Sequence, residues 1–174
     1  MTMTDIERIA YHEAGHAVAG YFLRLGFLRV SIISDRDSLG RLTPGAPPRE
    51  VREGGFYSWS AIAWGQKATL RLLAGPAAAA RAGGDPAAVL AGSDWNQAGN
   101  MALELCESEE EANAFLTWLW AKAQNFVNDP IYWRAIKALA GELLQTPEIS
   151  GKRARTIIGA AWHLPLEAQP RPTL

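Results

Sequence analysis

The residues best placed to do chemistry are His12, Glu13 and His16, in the run His12-Glu13-Ala14-Gly15-His16. Two imidazoles four residues apart on an α-helix stand one turn above each other on one face and can grip a single tetrahedral zinc ion. A glutamate beside the first can reach a water at that ion and act as the base that activates it. A catalytic zinc needs three protein ligands and an open position, so a third must come from elsewhere in the chain. The blander reading is a helix that carries two satisfied histidines near a surface.

The sequence around the pentapeptide predicts the helix that this chemistry needs. Thr4 and Glu7 have the spacing of a capping box, and Ile6, Ile9, Ala10, Ala17, Tyr21 and Leu25 recur at helical intervals, giving a metal helix over 5–25 with Gly26 as its stop. Gly15 and Gly20 each cost a helix about 1 kcal/mol relative to alanine, which points to the close approach of another backbone. Phe27 to Ile33 is rich in β-branched residues and reads as a strand, with Leu39 to Thr43 as its partner across a polar turn. The stretch 43–55 holds three prolines and two adjacent glycines and reads as a loop, either a flap over a cleft or a surface connection. Helical patterns follow from Trp59, interrupted or kinked at Pro76, then over 77–82, over 94–107 with Ser93 as N-cap, and over 108–127 opened by Ser108 and Glu111. Two more cover 130–144, started by Asp129 and Pro130, and 151–162, capped by Ser150. The expected class is mainly α (α+β), with one domain over 1–163 (metal helix 5–25, strands 27–43, helical part 56–163) and a Pro-rich tail over 164–174.

Composition narrows the function classes. A formal net charge of -1 and a pI near 6.3 provide no basic field, so neither nucleic acid nor an anionic membrane surface is an expected partner. No apolar run approaches the length of a membrane span, and the first seven residues lack the layout of a signal peptide, which makes the cytoplasm the expected location. The single Cys106 excludes an intramolecular disulfide and sits in an apolar helical pattern, as a buried inert thiol would. Seven tryptophans are many for this length; most are expected in the core, Trp95 is a candidate to line a cleft, and an exposed remainder would suit a homo-oligomer.

The residues alone leave the third ligand open. His163 is far away, beside the Pro-rich tail. Glu104 and Glu107 lie inside a predicted helix, and Glu109, Glu110 and Glu111 read as a solvated first turn favoured by the helix dipole. Asp94 sits at a helix start, where the positive end of the dipole keeps a carboxylate ionised as a metal requires, but an aspartate there is equally at home as a cap.

The run from Tyr11 to Val18 resembles the zinc-binding helix of the FtsH-type ATP-dependent metalloproteases. Val30-Ser31-Ile32-Ile33, followed by Arg36 and Leu39-Gly40, is similar to the strand and turn after that helix. Ser93-Asp94-Trp95-Asn96-Gln97-Ala98 resembles the family segment whose aspartate is the third zinc ligand, and Ala138 to Leu144 resembles the helical end of that domain. The resemblance implies a helical zincin-like peptidase domain with a small β-hairpin or sheet after the metal helix, Zn2+ held by His12, His16 and Asp94, and Glu13 as general base in the hydrolysis of a polypeptide substrate. Two departures stand out. Ala74-Gly75-Pro76-Ala77-Ala78-Ala79 occupies the place of Gly-Gly-Arg-Ala-Ala-Glu, and the chain carries no Gly-rich phosphate loop, so a separate ATPase or unfoldase would be the partner that supplies unfolded substrate. An extended substrate is expected to pair with the edge of the Phe27 to Ile33 strand. The alternatives are a zinc-binding but proteolytically inactive adaptor and a metal-free helical interaction protein.

Overall fold

The computed structural model describes residues 3–33, 40–84 and 92–163. Thr4 opens helix α1 (Asp5–Phe22) with both halves of the capping box: its Oγ1 accepts from the Glu7 N–H at 3.3 Å, and its own N–H donates to the Glu7 carboxylate at 2.8 Å. The helix stops at Phe22 rather than Leu25. The Leu25 N–H bonds back to the Gly20 carbonyl at 2.8 Å and the Arg24 N–H to the Tyr21 carbonyl at 3.2 Å. These two bonds make a Schellman end. Its left-handed residue is Arg24, with φ of 58°, and not Gly26.

Strand β1 (Phe27–Ser31) pairs antiparallel with β2 (Arg41–Pro44), Val30 standing opposite Leu42. A third strand, β3 (Glu148–Ser150), joins the other side of β1 with Ile149 opposite Val30. The order β2-β1-β3 makes β1 the central strand, so the edge that the sequence offered to a substrate is occupied on both sides. The turn 34–38, Arg36 and Leu39 lie outside the described residues.

Helix α2 (Arg49–Gly54) forms within the stretch expected to be loop, where Pro48 precedes it and an Arg49–Glu53 ion pair of 2.7 Å spans its one exposed turn. Helix α3 (Trp59–Arg81) runs unbroken through Pro76, where the sequence suggested a break. The proline deletes the bond to the Leu72 carbonyl, but every residue from Leu73 to Ala79 is buried, and that burial holds the helix together. Helix α4 (Ser93–Leu105) has Gly92 as its N-cap, not Ser93. Helix α5 (Glu109–Asn128) is capped by Ser108, α6 (Pro130–Gln145) by Asp129, and Ser150 accepts from the Arg153 N–H at 3.2 Å where α7 (Gly151–His163) begins. The described residues are thus mainly helical with one small antiparallel sheet, the expected class.

Helix α1 is the hub, packed on α3 along one side and on α6 along another, while α3 turns its far side to α4 and α5. The α1–α3 seam is built from small residues, Ala10, Ala14, Ala17, Ala77 and Ala78 among them, all buried. A Cβ on Gly15 would stand 2.5 Å from the Ala74 carbonyl oxygen, so the two backbones touch at that point. The tryptophans depart from expectation: none is fully buried, and Trp59, Trp118 and Trp162 are exposed. They pack at the rims because an indole rarely fits between helices spaced by alanine and glycine. Among the described residues, no helix is long and apolar enough to cross a membrane.

Candidate metal centre

His12 and His16 project from α1 on one face, as their spacing demands. The start of α4 brings Asp94 to them from 82 residues downstream of His12. His12 Nε2 lies 2.8 Å from Asp94 Oδ2, His16 Nε2 lies 3.4 Å from the same oxygen, and the two Nε2 atoms are 3.0 Å apart. Ligands at zinc–ligand distances of about 2.0–2.1 Å in a tetrahedron stand roughly 3.3–3.4 Å from one another. Two edges of the observed triangle need to open, the longer step by about half an ångström, and the three side chains form a group that could hold a metal ion.

The chemistry of the donors agrees with the geometry. The Arg71 carbonyl lies 2.8 Å from His16 Nδ1. A carbonyl can only accept, so Nδ1 carries a hydrogen; without an ion Nε2 carries one as well and faces Asp94, and release of that second proton would leave the Nε2 lone pair for a metal. A backbone acceptor behind a histidine is the usual way to fix a ligand's tautomer. The N-cap of α4 is Gly92, so Asp94 is not the capping residue. Burial alone would raise its pKa, but the charge of His16 and the hydrogen bonds from both histidines hold the carboxyl well below the usual range. It is therefore ionised, as a ligand must be.

Glu13 lies beside this triangle and is only 5% exposed. Burial pushes its pKa up, against the pull of His16 and His12, and the Leu42 N–H of β2 also bonds to it. Its Oε2 is buried without any hydrogen-bond partner. An orphaned carboxylate oxygen is costly unless something else bonds to it, and a water placed between it and a metal would do so. Gly40 makes the cover over Glu13 close: a Cβ there would come within 2.9 Å of Glu13 Oε1.

The other acidic candidates are elsewhere. Glu104, Glu107, Glu109, Glu110 and Glu111 are exposed, as is His163, and none belongs to the cluster. Trp95 packs against Trp120 at 5.7 Å between ring centroids and borders a cavity of about 430 Å³ between α4 and α5. Cys106 is half-buried, at the end of α4 rather than inside the core. Sequence reasoning missed three contributors: the Arg71 carbonyl, Gly40, and Gly75, whose missing Cβ would stand 2.4 Å from His16 Nε2. The one available hint was a glycine retained inside a helix despite a cost of about 1 kcal/mol.

No protein-family model matches this chain, and no curated protein sequence matches it significantly.

Proposed function

We propose that the chain is a zinc-dependent metallopeptidase in which His12, His16 and Asp94 hold the ion and Glu13 is the general base. The observation that carries this reading is the convergence of three ligand atoms beside the buried, unpartnered Oε2 of Glu13. When bound, zinc supplies Lewis acidity, polarising a peptide carbonyl and acidifying water to a pKa of about 7. Glu13 accepts a proton from the attacking water at Oε2 and returns it to the departing amine. Burial raises its pKa, the direction that favours taking up the proton it must later return. His16, locked by Arg71, and Asp94, held ionised, keep the ligand set ready without rearrangement.

The motif order supports kinship with the FtsH-type peptidase domain, and a polypeptide already unfolded, or delivered by a separate unfoldase, is the proposed substrate. With β1 enclosed, the outer edge of β2 takes the role of pairing with it. That edge runs past Glu13, to which Leu42 is bonded, and carries no strand partner among the described residues.

A second reading is favoured by one observation. Gly40 and Leu42 cover Glu13 so closely that a zinc-binding adaptor with no turnover fits the same site. Zinc content together with cleavage of casein separates the two. Zinc-loaded wild type that degrades casein, with Glu13→Gln retaining zinc and losing the activity, supports the peptidase; zinc without cleavage in either protein supports the adaptor.

A further inference from the structure

Helix α3 meets the His16 imidazole at Gly75. A Cβ built on Gly75 would lie 2.4 Å from both Cε1 and Nε2 of His16 and 2.8 Å from its Cδ2. No real Cβ approaches a ring so closely, and an imidazole is rigid, so the ring cannot yield without carrying its ligand atom Nε2 with it. The backbones already meet at this level. Gly15, next to His16, would itself place a Cβ 3.0 Å from the Gly75 Cα and 2.5 Å from the Ala74 oxygen, so α1 and α3 are already in contact.

Pro76 follows at once. A proline inside a helix has no N–H for the carbonyl four residues earlier, here Leu72, and its ring pushes against the preceding turn and tilts the carbonyls there away from the axis. Arg71 belongs to that turn. Its carbonyl accepts from His16 Nδ1 at 2.8 Å.

Building on the metal reading above, we infer that Gly75 and Pro76 are positioning residues for the metal, acting through His16. Gly75 leaves the notch in which the imidazole lodges, and Pro76 opens the turn whose Arg71 carbonyl selects the tautomer with Nε2 free. Neither residue touches the ion. The arrangement accounts for two breakers in the most buried stretch of α3: a glycine and a proline stand where one imidazole needs space and one carbonyl.

The test compares wild type, Gly75→Ala, Pro76→Ala, His16→Ala and the double variant His16→Ala/Gly75→Ala. Zinc affinity is measured by competition with a chromophoric chelator, and the cobalt-substituted proteins are examined by their visible spectra. Gly75→Ala is expected to weaken zinc binding about 10- to 100-fold, the range found when groups that orient a ligand are changed, and to alter the cobalt bands. Pro76→Ala is expected to do the same to a smaller degree. If Gly75→Ala is too unstable to load, thermal unfolding of the chelated proteins decides: the substitution should lower the midpoint with His16 present and be tolerated once His16 is alanine. Wild-type zinc affinity and an unchanged cobalt spectrum in folded Gly75→Ala overturn the inference alone, as does an equal loss of stability in both backgrounds. Wild type that takes up no zinc overturns the metal reading and this inference with it.

Discussion

His16 is the residue on which the site turns, since it touches Arg71, Gly75, His12 and Asp94 at once. In protein stripped of metal by chelation, the cluster holds a proton in place of the ion. Burial works against the His16 imidazolium, but Asp94, Glu13 and the Arg71 carbonyl outweigh it and lift the pKa from 6.5 to about 9. A value raised on folding contributes stability that is complete below the unfolded pKa and is lost as pH rises through the folded one. Asp94 has the opposite sign: its depressed pKa contributes stability above its ordinary 3.8 and loses it as pH falls through the depressed value. Glu13, whose pKa burial raises from 4.5, loses its contribution as pH rises above that value, so urea midpoints of the chelated protein should decline above about pH 4.5 and fall further from 6.5 towards pH 9 as His16 deprotonates. Excess zinc should remove most of that fall, because the ion displaces the proton. A midpoint that holds steady from pH 6.5 to 9 in the chelated protein would contradict the assignment. Glu13→Gln keeps the shape of the side chain while removing the base, so hydrolysis should drop about 10²–10⁴-fold at unchanged zinc content. At this scale the sequence disclosed the pair His12/His16 through spacing alone, and narrowed Asp94 to one of several acids. It could not disclose Gly75 or the Arg71 carbonyl, whose roles arise only where α3 crosses α1, 55 residues beyond His16 for the Arg71 bond.

Among the elements, those with a local cause were legible and those with a tertiary cause were not. Thr4, Ser108 and Asp129 cap their helices as read, because a cap is a bond between near neighbours. The three residues of β3 have no periodicity to detect and become a strand only by pairing with β1, which also turns β1 into a central strand. Continuity of α3 through Pro76 follows from burial that propensity does not see. The end of α1 shows the same limit, since Gly26 was the obvious stop but Arg24 takes the left-handed position. A non-glycine residue there costs roughly 1–2 kcal/mol. Arg24 is exposed, so Arg24→Gly should stabilise the protein by about 1 kcal/mol in urea unfolding; a loss of stability would mean that the arginine side chain has a role that its surroundings do not suggest. For β2, peptides N-methylated at successive amides near the scissile bond should show a raised KM with little change in kcat if the substrate pairs with that edge. Equal KM for all of them would remove β2 from the account.

For the whole molecule, α1 supplies both the hydrophobic hub and two of the three side chains that could hold a metal, so folding and the candidate site share one helix. The third candidate ligand arrives on α4, which packs mainly on α3 and α5 and meets α1 at the cluster itself. An ion held by α1 and α4 would tie together residues 82 apart in the chain, and zinc should raise the thermal midpoint the more tightly it binds. The central claim is that His12, His16 and Asp94 bind one ion together, and zinc stoichiometry after exhaustive dialysis tests it most directly. Wild type should retain one zinc per chain, while His12→Ala, His16→Ala and Asp94→Ala should each retain none. Full zinc in the Asp94 variant, or none in wild type, would contradict the account.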